Sequence, residues 1–161
     1  MTQATGSLRA AACARAALVA GIVLALDQIT KRTIASGIAL GAEKKLLPGV
    51  HLVHVRNTGV AFSLFSGGGT LVLVLTLAAL AILIGYFLRR PDRPWLWLPT
   101  GMLIGGAIGN LIDRIANGAV TDFIKLPHWP AFNVADMSIT FGVLLLLWVL
   151  ERSGTKASRR G

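Results

Sequence analysis

Residues 70–88 read Thr-Leu-Val-Leu-Val-Leu-Thr-Leu-Ala-Ala-Leu-Ala-Ile-Leu-Ile-Gly-Tyr-Phe-Leu, with no charge and no proline. At ~1.5 Å per residue a helix of this length crosses a hydrocarbon layer of ~30 Å. Gly67, Gly68 and Gly69 lead into it, and Arg89-Arg90-Pro91 stops it with charge and a helix breaker. The stretch reads as a membrane span, and its flanks carry the same signature.

Beyond the Arg-rich link, Trp95-Leu96-Trp97 opens a second apolar run with an interfacial aromatic pair. This run carries Gly101, Gly105, Gly106 and Gly109, a spacing that lets another helix approach closely. A further run starts near Val134 and ends at Glu151-Arg152. Toward the N-terminus, an apolar run begins near Ala16 and meets Asp27. Residues 16–26 alone are too short to span and resemble a signal-peptide core, with Ala35-Ser36-Gly37 as a cleavage zone. Asp27, Gln28, Lys31 and Arg32 would fall in or beside that zone. The preferred reading is a helix to about Ala39, with Asp27 and Lys31 on one inward face near its outer end. The expected spans are 16–39, 70–88, 95–114 and 134–150, in a single integral membrane domain covering 1–161.

Composition supports this class. Of 161 residues, 54% are hydrophobic and 14% charged, against about 25% charged in soluble domains. Mean hydropathy is +0.68. Disorder is excluded, because disordered chains are poor in apolar residues. The net charge of +9 does not indicate nucleic acid, because the basic residues sit at the edges of apolar runs. Arg9 and Arg15 precede the first span, Arg89, Arg90 and Arg93 fill the second link, and Arg152, Lys156, Arg159 and Arg160 follow the last. Both termini are therefore expected inside, although Lys44, Lys45 and Arg56 lie in the first outside segment. The single cysteine, Cys13, precludes an intrachain disulfide and argues against a Cys-based zinc site. It has no apolar run before it, so it does not read as a lipidation site.

The outside segments are residues 40–69 and 115–133. The first is too long for a plain loop. Residues 50–56 are rich in β-branched side chains and read as a strand. Asn57-Thr58-Gly59 reads as a turn, and residues 61–65 as a second strand. The fold class expected is thus all-α, four transmembrane helices with a small β-sheet on the membrane surface. The second outside segment, with Trp129 between Pro127 and Pro130, is expected to lie at the interface.

The chain has seven acidic residues. Glu43, Asp92 and Glu151 fall in links or at a helix end. Asp27, Asp113, Asp122 and Asp136 all map to one layer near the outer boundary. Carboxylates at membrane depth face a polar cavity or a partner. Asp27 with Lys31, and Asp113 with its neighbour Arg114, read first as structural pairs. Asp122 and Asp136 have no adjacent basic residue, which makes them the better candidates for chemistry. Two close carboxylates share a proton, so one acts as base while the other acts as acid. Such a pair activates water against a peptide carbonyl without a metal or covalent nucleophile. No His-Glu-x-x-His pattern exists, and His51 and His54 would point to opposite faces of a strand. Ser63, Ser66 and Ser138 have no evident lysine partner. A proton-coupled transporter is the alternative reading, although it would place acids near the midplane and in repeats. A non-enzymatic assembly factor is a third, which would not need these acids.

Five segments in order carry a family resemblance. Asp27-Gln28-Ile29-Thr30-Lys31 resembles the DxxxK motif of the lipoprotein signal peptidases (signal peptidase II). Residues 56–62 (Arg56-Asn57-Thr58-Gly59-Val60-Ala61-Phe62) resemble NxGxAF, residues 105–114 resemble GGAxGNxxDR, residues 118–123 resemble GxVxDF and residues 132–136 resemble FNxAD. The match runs from about Asp27 to Leu150 with no departure at a motif position.

The resemblance implies an aspartyl endopeptidase of the bacterial inner membrane, without a cofactor. It would cut prolipoproteins on the N-terminal side of a lipobox cysteine that already carries diacylglycerol. Asp122 and Asp136 would be the catalytic pair. Asp27, Lys31, Asn57, Gly59, Gly106, Asn110, Asp113, Arg114, Asn133 and Ala135 would support them or contact substrate. Partners implied are diacylglyceryl-prolipoproteins and membrane lipid, with inhibition by lipobox-mimicking cyclic peptides such as globomycin. The site would face the periplasm, with both termini cytoplasmic. Phe62, Phe123 and Phe132 are expected to pack rather than bind. The outer segment from His51 to Phe65 is expected to cover the substrate and to move on Gly59 and residues 67–69.

Overall fold

The computed structural model describes residues 2–58, 68–90 and 92–158. Among the described residues, four helices, α1 (Thr2–Gly37), α2 (Gly68–Arg89), α3 (Trp97–Asn117) and α4 (Val134–Ser158), carry three strands, β1 (Glu43–Leu47), β2 (Val50–Asn57) and β3 (Val120–Lys125). The expected strand at 61–65 and the glycines Gly59 and Gly67 lie outside the described residues.

Among the described residues, the segments Gly6–Gly37, Leu71–Arg89 and Val134–Arg152 are long and apolar enough to cross a membrane. α3 has 21 residues, which also gives about 30 Å, and it packs between α1, α2 and α4. The solvent logic of the fold is inverted. Leu18, Ile22, Leu26 and Ile29 of α1 are exposed, as are Leu75 and Ile82 of α2 and Phe141, Leu144 and Leu147 of α4. The buried polar set is Asp27, Lys31, Thr100, Asn110, Asp113, Asp122, Asn133 and Ser138. Apolar faces meeting lipid and polar groups meeting each other is the arrangement expected of a membrane bundle.

Small residues set the helix spacing. A Cβ on Gly101 would lie 2.6 Å from the Ala16 carbonyl oxygen, and one on Gly105 would lie 2.7 Å from that of Ala20. α3 therefore meets α1 backbone to backbone, as the glycine spacing predicts. At the other end, Leu96 is fully buried beside Ala12, Ala16, Phe87 and Val149.

The sheet is antiparallel in the order β1-β2-β3. Segment 115–133, expected to lie at the interface, therefore also supplies the third strand. Gly118 makes that turn: at φ 71 it caps α3, its N–H donating to the Arg114 carbonyl, a left-handed geometry suited to glycine. Thr121 N–H then donates to Asp113 Oδ2 at 3.0 Å, tying β3 to the end of α3.

Candidate active site

β3 positions Asp122 in two directions. Asn57 pairs with Val120 across the β2–β3 ladder, so Asp122 is its diagonal neighbour on the same face. Asn57 Nδ2 donates to Asp122 Oδ2 at 2.9 Å. Further along, Phe132 bridges to Ile124, each N–H donating to the other's carbonyl. That bridge brings Asn133 beside Asp122, and Asn133 Nδ2 donates to Asp122 Oδ1 at 2.7 Å.

Asn133 also starts α4. Its Oδ1 accepts the Asp136 N–H at 2.9 Å, and its own N–H donates to Asp136 Oδ2 at 3.2 Å. This reciprocal pattern is a capping box with Asp in the place usually held by Glu. One asparagine thus bonds both aspartates. The remaining Asp136 oxygen, Oδ1, accepts from Asn110 Nδ2 of α3 at 2.8 Å. Asp122 is 2% exposed, whereas Asp136 is half-buried. Burial pushes the Asp122 carboxyl up from 3.8 to about 6. The Asn57 amide opposes the shift, the nearby Asp136 charge adds to it, and Asn133 and Lys31 oppose it.

Beneath the pair lies a charged layer. Lys31 Nζ contacts Asp27 Oδ2 at 2.8 Å and Asp113 Oδ2 at 3.2 Å, and donates to Asn110 Oδ1 at 2.9 Å. The Asp27–Lys31 pair is the one expected from sequence. Asp113 departs from expectation, since its cationic partner is Lys31 and not Arg114. Adjacent residues on a helix do not face each other, and Arg114 instead donates to the Asn110 carbonyl at 3.5 Å. By holding Asn110 Oδ1, Lys31 turns the Asn110 amide nitrogen toward Asp136. Asp27 is fully buried, and its Oδ1 accepts the Ala135 N–H at 2.9 Å. It so satisfies one of the free N–H groups at the start of α4.

Close contact fixes these parts further. A Cβ on Gly109 would sit 2.5 Å from Asp27 Oδ2, and one on Gly106 would sit 2.6 Å from the Ala135 carbonyl oxygen. Gln28, which sequence reasoning missed, donates toward Asp27 Oδ2 (3.2 Å), the Gly109 carbonyl (3.3 Å) and Asp113 Oδ1 (3.3 Å). A second amide beside Asp27 in an apolar helix was the available signal. Among the described residues, no buried side-chain polar atom lacks a partner.

The structure thus gathers Asp27, Lys31, Asn57, Gly106, Asn110, Asp113, Asp122, Asn133, Ala135 and Asp136 at one end of the bundle. Arg114 stands at its edge, lining a 330 Å³ cavity with Thr58, Val72, Leu73, Leu111 and Ile115. Gly59, Phe62, Ser63 and Ser66 lie outside the described residues. Phe123 is buried. Ser138 donates its hydroxyl to the Met102 carbonyl at 3.0 Å, a helix–helix bond. Among the described residues, no cluster of three or more His, Cys, Asp or Glu side chains could hold a metal.

The chain is similar to known proteins over most of its length. The family described as Signal peptidase (SPase) II matches residues 19–151. A lipoprotein signal peptidase of Moorella thermoacetica is 42% identical over 135 residues, covering 83% of this chain and 90% of that protein. One from Symbiobacterium thermophilum is 43% identical over 150 residues, covering 86% and 97%. A solved bacterial membrane enzyme superposes with a TM-score of 0.77 at 34% identity, over 84% of this chain and 91% of that one. A second such structure gives 0.79 at 31% identity, over 88% and 90%. With its matched span including the whole polar cluster, this multi-pass membrane protein belongs to the signal peptidase II family.

Proposed function

We propose that the chain is an aspartic endopeptidase that removes signal peptides from diacylglyceryl-modified prolipoproteins. Cleavage is on the N-terminal side of the lipidated cysteine. The observation that carries the reading is Asn133, whose side chain and backbone bond Asp122 and Asp136 from two different elements. Two carboxyls within electrostatic reach of each other carry one proton between them over a range of pH. The ionised member takes a proton from water as the oxygen attacks the scissile carbonyl. The protonated member gives its proton to the carbonyl oxygen, and the dyad then returns a proton to the leaving amine. Asn57 and Asn110 orient the carboxyls, and the Asp27–Lys31–Asp113 layer holds Asn110 and the start of α4 in place.

Depth supports the same substrate. The lipidated cysteine of an inserted precursor lies near the outer headgroups, where the dyad sits in a bundle whose opposite end carries Arg15, Arg93 and Arg152. On the bias of basic residues, both termini are cytoplasmic and the dyad faces the periplasm; the inner membrane is the one that the family resemblance implies. Cyclic peptides that mimic the lipobox, such as globomycin, would compete for the dyad. No observation favours a transporter, since the acids gather at one end of the bundle.

The test supplies purified protein with a prolipoprotein, diacylglyceryl-modified or unmodified, and reads the product by mass. A new N-terminus at the modified cysteine, with poor cutting of the unmodified precursor, is expected. Equal cutting of both precursors removes lipid from recognition, and no cutting of either refutes the assignment.

A further inference from the structure

At the end of the bundle opposite the dyad, the link between α2 and α3 folds against the first turns of α1. It encloses a cavity of about 390 Å³, whose walls include Leu8, Arg15, Asp92, Arg93, Trp95 and Trp97. Asp136 and Arg152 on α4 are sixteen residues apart, or ~24 Å along a helix axis. The cavity lies at the Arg152 level and is independent of the dyad.

Two features separate it from an ordinary basic edge. First, both guanidinium groups are held by aromatic rings rather than by acids. Arg15 lies over the Trp97 ring at 5.9 Å. Arg93 lies over the Tyr86 ring at 5.7 Å and donates to the Tyr86 hydroxyl. Among the described residues, neither forms a salt bridge. Stacking on a ring orients a guanidinium and leaves most of its fork of donors free. Second, Trp95 adopts φ 65, a left-handed conformation rare for a bulky residue. It remains 57% exposed and stacks on Trp97 with centroids 6.2 Å apart. An exposed indole in a disfavoured backbone state gains little from the protein core, but an indole at headgroup depth has an amphipathic partner in lipid.

We propose that this cavity binds the phosphodiester headgroup of an acidic phospholipid of the inner leaflet. Arg15 and Arg93 grip the phosphate, and Leu8 and the stacked indoles pack on the glycerol and upper acyl chains. Basic recesses between spans at this level suit such headgroups. The local charge balance is two guanidiniums against the Asp92 carboxylate, which weakens the site and gives it a sign that can be tested.

The experiment uses the full-length protein in phosphatidylcholine vesicles with and without phosphatidylglycerol. The readouts are lipid retained in native mass spectra and the unfolding temperature. Wild type should retain one phosphatidylglycerol and unfold at a higher temperature when that lipid is present. The double variant Arg15→Gln/Arg93→Gln should retain at least tenfold less and lose that rise, while still cleaving precursor. Asp92→Asn should tighten retention, an outcome that misfolding does not imitate. Arg89→Gln/Arg90→Gln, outside the cavity wall, should bind as wild type does. Equal loss in that control reduces the effect to general surface charge and overturns the proposal. So does an unchanged Asp92→Asn, or an equal rise in unfolding temperature with inorganic phosphate alone.

Discussion

Replacing Gly106 by Ala tests how tightly backbone packing sets the dyad. The added Cβ would lie 2.6 Å from the Ala135 carbonyl oxygen and 2.9 Å from Ile139 Cγ1. Ile139 can turn, but the carbonyl is backbone in the first turn of α4. An ordinary C···O contact is about 3.3 Å, so α4 must retreat by roughly 0.7 Å. Ala135 directly precedes Asp136, and its N–H is held by Asp27, so the displacement passes to the dyad and strains the bond to Asn110. Overpacking of this kind costs about 1–3 kcal/mol, and misplacing reacting groups by ~1 Å costs about 10²-fold in rate. The assay is kcat on a lipidated precursor, with thermal unfolding of the same preparation as a fold control. Gly85→Ala is the matched comparison, since its Cβ would meet only the Arg89 Nη1 atom, at 3.3 Å. Gly106→Ala should lose roughly two orders of magnitude in kcat while remaining folded, and Gly85→Ala should lose almost nothing. Wild-type kcat in a folded Gly106→Ala protein would refute the claim that α3–α4 contact fixes Asp136.

Lys31→Met should be among the most damaging single changes. It leaves Asp27 and Asp113 buried without their cation, which costs about 3–5 kcal/mol; thermal unfolding in detergent measures it. The raised Asp122 carboxyl gives stability a definite slope with pH. Its folded value of about 6 lies above its ordinary 3.8, so the folded state holds more protons between those limits. Stability therefore falls as pH rises through that window and levels off above it, by on the order of 3 kcal/mol at most. Unfolding measured from pH 4 to 8 should show this slope in wild type and lose it in Asp122→Asn. The same group, as the member of the pair that holds the proton, predicts a basic limb near pH 6, with kcat/KM falling as pH rises through that value, and a rate independent of pH between 5 and 7 would contradict it.

The helices were legible because hydrophobic runs of spanning length have few alternatives. α1 nevertheless starts at Thr2, well before the apolar run, because Ala10, Ala11, Ala12 and Ala14 favour helix without raising hydropathy much. β1 escaped notice because Glu43, Lys44 and Lys45 make an exposed, charged edge strand, which lacks the alternation of a half-buried one. β3 is short, and its strand character comes from pairing with β2 and Phe132. The acids could be placed in one layer from their positions alone. Their partners could not, since Asp113 reaches Lys31 across 82 positions and Asn133 reaches Asp122 through a β-bridge. Asn133 itself reads as a helix cap from sequence, but its second bond is a tertiary fact.

The central claim is that Asp122 and Asp136 act as one unit on water. Single-turnover cleavage of lipidated precursor by Asp122→Asn, Asp136→Asn and the double variant tests it most directly. Each single change should lower the rate by ~10²–10⁴-fold, and the double variant should be no slower than the slower single one. A single variant that cuts at the wild-type rate, or losses that multiply in the double variant, would contradict the account.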